Sequence, residues 1–122
     1  MSRYHSIDPY VKKAEDAQRL LRTLSTEMPE GWKKDYAGVR NEYRQAMEDA
    51  ARQAALEINQ TDPEVIEQFK KLRDDLFSSL SNHQARWPVL LLSEQRSVEY
   101  RQSVQAFEAK HSEFVRFMRQ ST

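Results

Sequence analysis

The stretch Thr61-Asp62-Pro63-Glu64, running on into Val65-Ile66-Glu67-Gln68-Phe69, decides how the rest of the chain is read. Thr61 offers a side-chain oxygen to the free amides of a helix start. Pro63 suits a first turn because it has no amide hydrogen to lose there, and Glu64 completes the S/T-x-x-E spacing of a capping box. A helix over 63–87 is therefore predicted. Its apolar seam is Ile66, Phe69, Leu76, Leu80 and Trp87, with Leu72 and Phe77 beside it and Arg73 and His83 in the remaining heptad positions.

The other prolines punctuate the chain in the same way. Asp8-Pro9 caps and opens a helix over 9–27, in which Tyr10, Ala14, Ala17, Leu21, Leu24 and Met28 recur at steps of four and three. Pro29 ends it. After Glu30-Gly31, a long helix over 31–59 carries Trp32, Tyr36, Val39, Tyr43, Ala46, Ala50 and Ala54 on one face. Bulky rings occupy its first half and alanines its second, where a neighbour can approach closely. Gly38 is its one interior weak point. Pro88 interrupts the third helix, and Val89–Leu92 is read as an extended connector or a last bent turn. Ser93, followed by Glu94, caps a fourth helix over 93–119 with the stripe Tyr100, Val104, Phe107, His111, Phe114 and Met118. Long helices joined by short links favour antiparallel neighbours. The expected fold is all-α: one helical domain over 1–122, a four-helix bundle of up-down antiparallel topology with one long second helix.

Composition narrows the chemistry. With 122 residues the chain is long enough for one ordinary domain. Nineteen Lys and Arg balance nineteen Asp and Glu, interspersed along every helix, so the basic footprint of a nucleic-acid binder is missing. Only two glycines leave little material for a phosphate-cradling loop, and the lack of cysteine removes disulfides, thiolate nucleophiles and thiolate-held metals. The longest apolar run, Val89–Leu92, is far below the ~20 residues of a membrane-spanning helix. The N-terminus has no apolar stretch of the kind a signal peptide needs, and a cytoplasmic location is expected.

Histidine chemistry is limited to His5, His83 and His111. Helical phase places His83 and His111 on seams, where packing with a local hydrogen bond is the plain reading. Glu108-Ala109-Lys110-His111 is a Glu-x-x-His element, the kind that sets two ligands on one helix face in di-iron bundles. A carboxylate-bridged site needs a second copy, and the position three before His83 is Leu80. No metal and no cofactor are expected.

His83, Arg86 and Pro88, with Phe77 six residues before the histidine, stand at the spacing of a known helical motif. This stretch resembles the H-box of sensor histidine kinases, which reads H-E-x-R-x-P-L on a helix of a dimeric hairpin. The resemblance covers about a tenth of the chain. It implies that His83 accepts a phosphoryl group relayed to an aspartate of a receiver domain, and that Pro88 kinks its helix.

No constellation for catalysis assembles in the sequence, while long two-sided helices with aromatic seams do. The expectation is a non-enzymatic interaction module, an adaptor, regulator or chaperone-like protein. Its partner is another protein or a second copy of the chain in a homodimer, without nucleic acid or membrane. The contact residues expected are Trp32, Tyr36 and Tyr43 on the second helix and Trp87, Leu90 and Leu91 beside the proline. The alternative is phosphotransfer through His83.

Overall fold

A computed structural model describes residues 5–58, 61–89, 92 and 98–122. The described residues form four α-helices and no strand: α1 Asp8–Glu27, α2 Trp32–Glu57, α3 Pro63–Arg86 and α4 Val98–Ser121. The chain divides into two compact units, Met1–Leu56 and Glu57–Thr122. Each is a helical hairpin, α1 against α2 and α3 against α4.

In the first unit the chain enters α1 through a turn, with the Asp8 amide donating to the His5 carbonyl at 2.9 Å. Asp8 does not cap the helix. It lies one position inside, behind Ile7, and its carboxylate accepts from the His5 amide at 3.2 Å. A negative charge in the first turn still complements the helix dipole. Ile7 and Val11 join Ala14, Ala17 and Leu24 in the buried face, while Tyr10 and Leu21 are half-buried. Met28 leaves the stripe altogether. It is the C-cap of α1, in a left-handed conformation with φ 47°, so the helical period stops there. Gly31, at φ 75°, has a backbone that L-residues rarely adopt, which is why α2 begins at Trp32 and not at 31.

The buried face of α2 is broad. Beyond the expected Tyr36, Val39, Tyr43, Ala46, Ala50 and Ala54 it includes Met47, Ala51 and a charge, Arg40. Arg40 is only 7% exposed. Its guanidinium stacks on the Tyr36 ring at 4.8 Å, and one terminal nitrogen has no hydrogen-bond partner among the described residues. A desolvated cation without an acceptor is costly, and the ring face offsets only part of that cost.

In the second unit, Asp62 and not Thr61 caps α3. The Asp62 carboxylate accepts from the amides of Glu64 at 3.0 Å and Val65 at 3.4 Å. With Pro63 as the first helical residue, the residue before it is the one whose extended backbone aims a side chain at those amides. At the other end Pro88 forces the residue before it out of the helical region. Trp87 has φ −123° and ψ 66°, so α3 stops at Arg86 rather than kinking. The Leu92 amide donates to the Val89 carbonyl at 3.1 Å, and Leu90 and Leu91 between them lie outside the described residues. Ser93 and Glu94 lie outside the described residues. Phe69 meets Phe114 at 5.6 Å between ring centroids, and Trp87 meets Tyr100 edge-on at 5.3 Å. The partner's number falls as the α3 number rises, so α3 and α4 run antiparallel.

Candidate functional site

The second unit has a cleft of about 400 Å³ between α3 and α4, lined largely by polar side chains. From α3 it is lined by Asp75, Ser78, Ser79, Asn82, His83 and Arg86, which recur every three to four residues and so share one helix face. From α4 it takes Ser103, Ala106 and Lys110. Only Ala106 brings no polar side-chain atom, and only Asp75 brings an acid.

His83 forms the floor of this cleft at 9% exposure. Its ring lies 5.6 Å from that of Tyr100 and stacks at 6.4 Å on Phe107. Nδ1 and the Ser103 Oγ share a hydrogen bond of 2.6 Å. That bond joins the two helices and fixes the plane of the imidazole. Arg86, one turn beyond His83, has its guanidinium 5.6 Å from the Trp87 ring. Neither Arg86 nor Lys110 forms an ion pair with a carboxylate among the described residues.

The expected contact residues are placed as follows. Tyr36 and Tyr43 are buried in the inner face of α2. Trp32 is half-buried and stands edge-on to Tyr36 at 5.8 Å, with the Lys33 ammonium 5.8 Å from its ring. Trp87 is half-buried, and its indole nitrogen has no hydrogen-bond partner among the described residues. Leu90 and Leu91 lie outside the described residues. Trp32 and Trp87 therefore belong to different units. His111 is buried, Glu108 half-buried, and no group of three metal-ligating side chains occurs among the described residues.

Ser103, Asn82 and Lys110 escape a reading based on apolar periodicity. Ser103 had a signal, because it lies three residues after Tyr100 and four before Phe107, in the seam itself. A hydroxyl at a seam position implies a polar partner across the interface.

The fold and cleft define an all-helical protein of two hairpins, one of which carries a polar interhelical cleft. A scan against protein families and searches of curated proteins and of solved structures find no match to this chain.

Proposed function

We propose that the chain is a non-enzymatic protein-interaction module, soluble and cytoplasmic, that docks a partner protein at the end of the first hairpin. One observation carries this reading: Met28 holds a left-handed backbone at φ 47° while its side chain is 43% exposed. The residue after a helix is ordinarily glycine or asparagine when its backbone is left-handed, because a Cβ costs roughly 1 kcal/mol or more there. A large apolar side chain kept in that position, with 43% of its surface facing water, accepts backbone strain while leaving apolar area uncovered. It gains contact area for a partner, and methionine adapts well to one. Leu20 on α1 is also exposed, and Trp32 begins the next helix, half-buried over Tyr36.

The test sets stability against binding. Met28→Gly should leave thermal stability unchanged or raise it, since glycine relieves the strained φ. The same variant should lose partners that the wild type retains in quantitative co-purification, and Trp32→Ala should lose the same ones. Identical partner sets in wild type and Met28→Gly would end this reading. Light scattering on the purified chain shows whether the partner is a second copy.

A second reading, phosphotransfer through His83, is favoured by the position of that ring in a polar cleft with Arg86 one turn further along α3. A phosphoaspartyl donor would lose its acyl P–O bond, its carboxylate would leave, and a ring nitrogen would gain the P–N bond as its proton passes to solvent. Incubation with a phosphorylated receiver domain, followed by analysis of acid-labile phosphate, should label wild type and not His83→Gln. An unlabelled wild type would remove this reading.

A further inference from the structure

We propose that the α3–α4 cleft binds a phosphate group non-covalently at the end formed by Asn82, Arg86 and Ser103. The inference rests neither on the docking of a partner at Met28 nor on any covalent step at His83.

The antiparallel register divides the cleft into two ends. Phe69 faces Phe114, His83 faces Ser103 and Trp87 faces Tyr100. Interpolating along both helices puts Lys110 level with the turn of α3 that carries Asp75, so the one acid and one of the cations of the cleft fall at the same end. Arg86 lies ~16 Å further along α3, at a rise of about 1.5 Å per residue. The residues that line its end of the cleft therefore include a cation and no carboxylate, and Glu99, exposed one turn before Ser103 on α4, lies outside that lining.

The polar groups at that end match a tetrahedral oxyanion. Arg86 and Asn82 are four residues apart on one face of α3, and Ser103 stands opposite on α4. The guanidinium presents a fork of N–H donors suited to two oxygens, and the Asn82 carboxamide offers a third donor. Ser103 supplies a fourth if the His83 Nδ1–H donates to its Oγ across the 2.6 Å contact, since the hydroxyl hydrogen then points away from the ring. In that arrangement the buried imidazole orients the serine. A cation in the last turn of α3 also complements the helix dipole, which accounts for one positive charge but not for the amide and hydroxyl around it. The cleft falls within the volume range of small-molecule pockets, so it leaves room for whatever bears the phosphate.

Titration of the full chain with inorganic phosphate at low ionic strength, followed by phosphorus and amide NMR, tests the assignment. Saturable one-site binding is expected, with resonances of Asn82, Arg86 and Ser103 moving together. Arg86→Gln should weaken it roughly tenfold or more, the loss of a charge-assisted bidentate contact. Ala106→Tyr, which keeps every cation but lays a ring across the cleft, should abolish it. Arg116→Gln removes an exposed cation elsewhere on α4 and should change nothing. Acetate should bind roughly tenfold more weakly than phosphate. Non-saturable binding, equal binding of acetate, full binding in Ala106→Tyr, or an equal loss in Arg116→Gln and Arg86→Gln would each overturn the site. Circular dichroism on each variant confirms that the helices persist. Acid-labile labelling is read separately, so the failure of phosphotransfer and the failure of this site give different results.

Discussion

In the first hairpin the buried face of α2 becomes alanine-rich toward its end, with Ala46, Ala50, Ala51 and Ala54, and it encloses Arg40 with a terminal nitrogen lacking an acceptor. In the second the buried face is built on rings, Phe69, Tyr100, Phe107 and Phe114, around a histidine whose Nδ1 is bonded to Ser103. Small side chains carry little volume that a mutation could remove, and they leave little room for more. Rings carry much area, and their loss leaves cavities. The alanine half of the first seam, beyond the buried Tyr36 and Tyr43, and the ring-built second seam should therefore fail in opposite ways. Each unit also has its own tryptophan, Trp32 in the first and Trp87 in the second, so fluorescence in a Trp→Phe background reports on one at a time.

The largest effect is expected from Phe114→Ala. Phe114 is fully buried against Phe69, and truncation should cost about 3–5 kcal/mol in urea unfolding followed through Trp87. A cost below about 1 kcal/mol would show that the ring seam does not hold the second hairpin together. Next comes Arg40→Met, with the opposite sign. Replacing a buried charge by an apolar chain of similar length should stabilise the first unit by roughly 1–4 kcal/mol, read through Trp32. A loss of stability would mean that the guanidinium has an acceptor in solution. Ala50→Leu, the reverse of the ring truncation, should cost roughly 1–3 kcal/mol by overpacking the alanine seam. If leucine is accepted without loss, the seam of the first unit is looser than its burial implies.

Four helices, their order and most of their buried residues were legible in the sequence, because apolar spacing at three and four residues directly reports the face a helix buries. The helix ends were less so. Thr61 and Asp62 are both good caps, and only the backbone of the residue before Pro63 decides between them. Met28 fits the α1 stripe by number, and the left-handed turn that exposes it leaves no mark in periodicity. Arg40 and Ser103 lie at seam phase, but apolar spacing carries no sign of a buried polar side chain. The cleft was half legible: His83 and Arg86 stood out through their spacing. Ser103, Asn82 and Lys110 gain meaning only once α3 and α4 are set side by side.

The smallest effect separates a surface contact from the buried ones. On α1 the Lys12 ammonium lies 3.0 Å from Asp16, Arg19 bonds the other carboxylate oxygen, and all three side chains are well exposed. The Lys12 ammonium, and then Arg19, hold the Asp16 carboxyl below its ordinary value of 3.8. A carboxyl with a lowered pKa in the folded state stabilises fully above its unfolded value. That contribution is lost as pH falls through the lowered folded value, where the proton returns. Asp16→Asn should therefore be slightly less stable than wild type near neutral pH, with the gap closing from about pH 4 downward. Salt should shrink the gap as well, because the screening length is only ~10 Å at 0.1 M. Arg40→Met should keep its full effect across the same salt series, since its charge is buried. A gap for Asp16→Asn that survives both acid and salt would mean that asparagine alters the helix itself and that the ion pairs on α1 contribute nothing to the first hairpin.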